Sequence, residues 1–406
     1  MNKNQLKKME KDIQLIIKDL KNNGELSNND ILNNKQEIIE TIKDILTNLS
    51  DNLNQEINIL IEVNLEQSLV IENPVYGEIA IINLIKQIEH LKTIPQPEQR
   101  TPEWYEFRNN RLTASDLGSV LGMNPYSNLN SVLKKKCGAP DNFVTNKAIK
   151  MGIKYEEVIC KIYEFYHEVK IFEYGCIPHP VIKHFGASPD GIVEPDSINK
   201  NFIGRMLEIK CPLSRPITGF IPKYYYAQVQ GQLEVCNLEY CDFVECKIHE
   251  YQTREEYLND FLSQETKFLY NSIGLIKGLL IEAFDRSSNK ETYFYADIGL
   301  NETQIDEWIE KIYQQISVDS NLEGGYITYY KAIEYNELLI KRDKKWFDTI
   351  ALPQINKFWE DVEKNRKNPD KKIFEKKNKK NNDKKILNLN ESEDVKFLFL
   401  SDSDDD

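Results

Sequence analysis

The sequence predicts an α/β protein: a mixed central sheet flanked by helices, behind an all-helical N-terminal region and ahead of a disordered C-terminal tail. Three observations carry this. Apolar residues recur at helical spacing as far as about residue 92. Between residues 103 and 250, helical and strand-like segments follow one another as helix, three strands, helix, strand. Beyond about Arg366 the chain turns to lysine and asparagine and then to aspartate, with little to bury.

In order along the chain, Ile13, Ile16, Ile17 and Leu20 share one helical face, as do Ile38, Ile42, Ile45 and Leu49. Asn22-Asn23-Gly24 and Asn28-Asn29-Asp30 are turns between them, and a further helix is expected over Gly77 to Leu91. Residues 1–92 thus read as a helical accessory domain. Pro95, Pro97 and Pro102 cannot continue a helix, so 93–102 reads as a linker. Residues 103–365 form the main domain, with a core at 103–250. In it, 104–122, 150–168 and 223–236 are expected as helices, and 169–177, 190–194, 205–210 and 240–248 as strands. From Glu255 to 365 the pattern reads as helices packing back on the sheet, with Trp308, Ile312 and Ile316 on one face and Trp346, Phe358 and Trp359 adding bulk. Residues 366–406 are the tail.

The 406 residues suffice for two or three units. No apolar run approaches the ~20 residues of a membrane span. The N-terminus is charged and amphipathic, unlike a secretory signal. Seven scattered cysteines, an odd number, point to reduced thiols, so an intracellular, non-secreted, non-membrane protein is expected. The net charge of −13 argues against a uniformly basic DNA binder but leaves room for a local basic groove. Part of the excess is the run Ser401-Asp402-Ser403-Asp404-Asp405-Asp406.

The chemistry concentrates between Phe185 and Pro212. Ser188-Pro189-Asp190-Gly191 is a turn entering a strand, and Glu208-Ile209-Lys210 follows on the next one. Residues two apart on a strand share a face, so Glu208 and Lys210 point together while Leu207 and Ile209 point into the core. Glu156 or Glu157, near the start of a helix, can supply a third carboxylate. Mg²⁺ prefers hard oxygen ligands, and Glu156, Asp190, Glu208 and the Ile209 backbone carbonyl suit one or two such ions. Mn²⁺ is an expected substitute. Lys210 would orient water or offset phosphate charge. Gln228 and Gln232, four apart, share a helical face that Gln230 does not.

Five ordered motifs then resemble the lambda-exonuclease or YqaJ-type viral recombinase family of the PD-(D/E)xK nucleases. They are Trp104…Arg108 with Leu112-Thr113-Ala114-Ser115; Gly152-x-x-Tyr155-Glu156; Ser188-Pro189-Asp190-Gly191; Leu207-Glu208-Ile209-Lys210-Cys211-Pro212; and Tyr226-Ala227-Gln228-Val229-Gln230. The resemblance covers residues 100 to 250, with weaker support to 365. It implies a restriction-endonuclease-like core and a Mg²⁺-dependent exonuclease digesting duplex DNA 5′ to 3′, in viral recombination, repair, genome processing or defence. It assigns metal binding to Glu156, Asp190 and Glu208, catalysis to Lys210, and the water to Gln228. The 5′ phosphate falls to Arg108 and Ser115, with Ser188 beside them. A cytoplasmic location or a viral replication site, a homo-oligomeric ring or dimer, and a single-strand annealing or helicase partner are further implications.

Arg108 and Ser115 also make sense on their own, because a helix start with an arginine nearby attracts anions. The N-terminal helices have no counterpart in the family pattern. Phe397, Leu398, Phe399 and Leu400 among aspartates suggest a docking peptide or a competitor for the DNA groove. The alternatives are a CRISPR-adaptation-like nuclease with an iron–sulfur cluster on Cys236, Cys241 and Cys246, an endonuclease variant, and a non-catalytic DNA-end-binding protein.

Overall fold

The computed structural model describes residues 3–27, 30–31, 34–47, 61, 65, 73–138 and 147–367. The tail 368–406, and with it the Phe397–Leu400 motif, lies outside the described residues, as does Leu49.

The helices Lys3–Asn22 and Lys35–Thr47 pair through buried Ile13, Ile17, Ile39, Ile42 and Leu46. Their core takes in one residue from far along the chain, Phe220. Lys18 Nζ donates to the Ile217 carbonyl at 3.3 Å. The bundle therefore docks on the segment 211–222 that leaves the Lys210 strand. The next helix, Glu78–Thr93, does not belong to this bundle. Ile88 and Leu91 enter the main core, and Gln87 Nε2 donates to the Cys236 carbonyl at 2.7 Å. The boundary expected at residue 92 gives way to one before the helix, because its apolar face matches the sheet layer.

The central sheet has seven strands: β2 (Ile171–Phe172), β5 (Gly191–Val193), β6 (Met206–Lys210), β7 (Tyr240–Glu250), β8 (Lys277–Asp285), β9 (Lys290–Tyr295) and β10 (Leu322–Lys341). Their order is β2-β5-β6-β7-β10-β8-β9. Within this sheet, among the described residues, β6 and β7 pair in parallel, joined by the crossover helix Lys223–Cys236, and the other pairs are antiparallel. A small second sheet orders β1 (Leu112–Thr113), β4 (Phe185–Ala187) and β3 (Ile177–Pro178) as β1-β4-β3.

Alternation along β6 divides its neighbours between two apolar layers. Met206 joins the layer under helices Glu78–Thr93, Ala114–Val120, Lys223–Cys236 and Leu352–Lys367, whereas Leu207 and Ile209 join the layer under helix Lys147–His167. The Ala114–Val120 helix presses close on Lys223–Cys236 because Gly118 has no side chain. A Cβ there would meet the Tyr224 Cβ at 2.7 Å.

Two expectations change. Residues 104–122 are not one helix: Pro102–Asn109 ends, β1 intervenes, and Ala114–Val120 follows. Residues 255–365 are not largely helical. They contribute β8, β9 and β10, with β10 inserted directly beside β7, and the Trp308 helix Glu302–Val318 covers that extension through buried Ile305, Ile309, Ile312 and Ile316. Trp346, Phe358 and Trp359 do return to the main core.

Candidate active site

β5 and β6 pair with Gly191 opposite Leu207, which sets Asp190, just before the start of β5, beside the middle of β6. Asp190 Oδ2 accepts the backbone N–H of Ile209 at 2.7 Å. That residue lies between Glu208 and Lys210, so the two halves of the sequence pattern meet. Glu208 is fully buried, and both its oxygens are engaged. Lys210 Nζ pairs with Oε1, Gln228 Nε2 donates to Oε1 at 2.6 Å, and Gln232 Nε2 donates to Oε2 at 2.6 Å. The two glutamines stand one turn apart on the helix and hold one oxygen each. Gln230 faces elsewhere, donating to the Lys341 carbonyl and accepting the Asp343 N–H.

The electrostatics follow from this crowding. Burial, then the Glu208 and Glu156 charges, push the Asp190 carboxyl well above the usual range, against the pull of Lys210 and the Ile209 N–H. Burial also raises Glu156, opposed first by Arg100 and then by Lys210. Arg100 donates to Glu156 Oε1 at 2.8 Å. Glu157 is exposed. Burial alone would lower Lys210, but the Glu208 and Asp190 carboxylates outweigh it and raise it, so its ammonium stays charged. Its Nζ also lies 4.8 Å from the Tyr225 ring centroid.

The donor chemistry fits a hard divalent cation: carboxylate oxygens gather at a strand end beside the Ile209 backbone. Burial first, and then the neighbouring Glu208 and Glu156 charges, raise the Asp190 carboxyl, and a bound cation would offset both causes. Among the described residues no three His, Cys, Asp or Glu side chains already form a cage. Glu156 is engaged by Arg100, and Glu208 by Lys210 and both glutamines.

A second cluster of opposite sign adjoins the first. Arg108 donates to Ser115 Oγ at 2.9 Å, and its guanidinium lies 4.2 Å from the Trp104 ring centroid. The Trp104 indole N–H donates to Ser188 Oγ at 3.3 Å. Arg108, Ser115 and Ser188 thus form one chain of contacts, two residues from Asp190. Buried Lys136 reaches the Arg108 carbonyl at 2.9 Å and Asp116 at 3.2 Å. Burial would raise Asp116, but Lys136, Lys135 and Arg108 hold it below the usual carboxylate range.

Gln232, which the sequence puts on the Gln228 face without a role of its own, is the second glutamine that holds Glu208. It joins the two clusters, because its amide also donates to the Ser188 carbonyl at 3.2 Å. Its i, i+4 spacing from Gln228 was the available signal. Buried Glu245 stands level with Lys210 on β7 and pairs with Arg215. The cysteine alternative fails on geometry: Cys236 and Cys241 lie in one apolar layer and Cys246 in the other, on opposite faces of the sheet. All seven cysteines are free thiols.

No helix among the described residues is long and apolar enough to cross a membrane. A model of the YqaJ-like viral recombinase domain matches residues 103–239. An uncharacterized protein of Acanthamoeba polyphaga mimivirus is 32% identical over 321 residues, covering 73% of this chain and 58% of the relative. A protein of African swine fever virus is 28% identical over 160 residues, covering 34% of this chain and 46% of the relative. The chain therefore spans about half the length of the curated relatives it matches. Among solved structures, the alkaline exonuclease of Laribacter hongkongensis in complex with dAMP aligns at 19% identity with a TM-score of 0.39, covering 68% of this chain and 98% of that one. A phage-related exonuclease from Haemophilus somnus aligns at 12% identity with a TM-score of 0.31, covering 63% and 93%.

Proposed function

We propose that this chain, whose residues 103–239 belong to the YqaJ-like viral recombinase domain family, is a Mg²⁺-dependent deoxyribonuclease that degrades duplex DNA from its 5′ ends. One observation carries the reading above the others: Asp190 accepts the Ile209 N–H at 2.7 Å, between Glu208 and Lys210. Two carboxylates and an ammonium then serve a single phosphodiester.

Asp190, Glu208, Glu156 and the Ile209 carbonyl would hold the cation. When bound there, Mg²⁺ supplies charge stabilisation on the phosphodiester oxygens and activation of water. The chain's own groups supply the rest. Lys210 pairs with Glu208 Oε1 on the same face of the strand, so its ammonium would act as a cation toward the developing phosphate charge. Gln228 and Gln232 fix the Glu208 carboxylate, and the Gln228 carbonyl oxygen orients the attacking water. Arg108, Ser115 and Ser188 receive the terminal 5′ phosphate, which places the next phosphodiester along the strand toward Asp190 and Glu208. Duplex DNA is the substrate. A ring or dimer of this chain, and an annealing or helicase partner, are consistent extensions in viral DNA recombination, repair or processing.

The test is Lys210→Ala in the full chain. Cleavage of linear duplex in Mg²⁺ should fall at least about 100-fold, as it should for the wild type in EDTA, while duplex binding persists. Undiminished cleavage by Lys210→Ala would reject the assignment. Binding without any wild-type cleavage would favour an end-binding protein.

A further inference from the structure

Residues 95–101, part of the stretch 93–102 that its prolines mark as a linker, are built into the wall of the carboxylate centre. The Gly175 N–H donates to Gln96 Oε1 at 2.7 Å, and Gln99 Nε2 donates to the Tyr174 carbonyl at 2.9 Å. The Pro97 carbonyl comes so close to Gly175 that a Cβ there would meet it at 2.1 Å. Next in the segment stands Arg100, at φ +66°. Few residues other than glycine adopt this left-handed backbone readily. Such a conformation persists where the surroundings over-determine it, and it clusters at functional sites. A glycine would take the same path without strain, so what the strained position delivers is the arginine side chain.

That side chain ends on Glu156 Oε1 at 2.8 Å. Glu156 also feels the like charges of Glu173 and Glu208. Arg100 is the first positive charge set against this cluster from outside the sheet. The Arg100 end of the pair is exposed and the Glu156 end half-buried, with side-chain exposures of 44% and 34%, and pairs that reach solvent in this way are weak and exchangeable. A guanidinium fork suits phosphate as well as carboxylate.

We propose that Arg100 is an exchangeable counter-ion of the carboxylate centre: it pairs with Glu156 until a divalent cation enters, then turns its guanidinium to a phosphate of the bound DNA strand. The proposal rests on the nuclease reading above. Arg100→Gly is the variant of choice, because glycine accepts φ +66°, and its melting temperature should match or exceed that of the wild type. Arg100→Gln, which keeps side-chain bulk, is the second variant.

Mn²⁺ binding, followed without DNA by the electron paramagnetic resonance of the free ion, should be about three- to five-fold tighter in both variants, since no guanidinium has to be displaced. Duplex affinity is then measured on chains that also carry Lys210→Ala, so that the strand survives. It should be about ten-fold weaker than in the Arg100 parent with Mg²⁺ and unchanged in EDTA. Mn²⁺ affinity equal to or weaker than that of the wild type overturns the exchange. An equal loss of duplex affinity with and without Mg²⁺ overturns the phosphate role. A wild type that binds Mn²⁺ but cuts no DNA defeats the nuclease reading and leaves the Mn²⁺ comparison standing.

Discussion

The carboxylate centre and the Arg108 cluster lie side by side and are built on opposite fields. At the first, burial and like charges push Asp190 up and leave negative potential in excess. At the second, Lys136, Lys135 and Arg108 pull Asp116 down and leave positive potential in excess. One field suits a cation and the other a phosphate. Ser188 and Asp190 are two residues apart in the chain, and Gln232 reaches both the Ser188 carbonyl and Glu208. On the proposed reading, the contrast teaches how a strand end would be measured: the terminal phosphate would sit in one field and the bond to be cut in the other.

The largest effect that would break this comparison is loss of the cation field. Asp190→Asn should lower the cleavage rate about 1,000-fold and weaken Mn²⁺ binding, read by calorimetry. A variant that binds Mn²⁺ like the wild type would remove Asp190 from the centre. Loss of the phosphate field should be smaller and selective. Arg108→Ala should slow digestion of 5′-phosphorylated ends about ten- to 100-fold and leave 5′-hydroxyl ends nearly unchanged; an equal loss on both would dissolve the pocket. Gln232→Leu should cost about ten-fold on either end, because it frees Glu208 Oε2 without removing a charge. No change would mean that the link between the two clusters is idle.

The smallest effect lies outside both fields and serves as a control. Glu234 fastens the crossover helix to the end of β10, with Oε2 accepting Arg342 at 2.6 Å and Oε1 accepting Lys344 at 2.8 Å. Burial would raise its carboxyl, but His179, with Nε2 3.7 Å from Oε1, and the hydrogen bonds from Lys344 and Arg342 lower it to about 2. A carboxyl lower in the folded than in the unfolded chain stabilises above its unfolded value and loses that contribution as pH falls. The stability advantage of wild type over Glu234→Gln should therefore be full above pH about 4.5 and vanish toward pH about 2. Urea unfolding at each pH checks it, and a constant difference would contradict the assignment.

How legible each part was depended on how local its cause was. Asp190, Glu208 and Lys210 could be read because a Pro-Asp-Gly turn and a five-residue strand state their own geometry. Strand β10 could not. Register shifts between Gly324 and Tyr326 and between Ala332 and Glu334 each change the phase of its alternation. Strand β8 is nearly continuously buried, a pattern that periodicity alone does not separate from a buried helix. The strap at 95–101 showed only its prolines, because its partners Tyr174, Gly175 and Glu156 lie more than fifty residues away. Docking of the N-terminal bundle on Phe220 is equally non-local.

The most direct measurement is digestion of an end-labelled linear duplex, with and without a 5′ phosphate, by the wild type beside Lys210→Ala in Mg²⁺. The account predicts stepwise release of nucleotides from the phosphorylated 5′ end by the wild type and an intact duplex with Lys210→Ala. Equal degradation by both chains would contradict it.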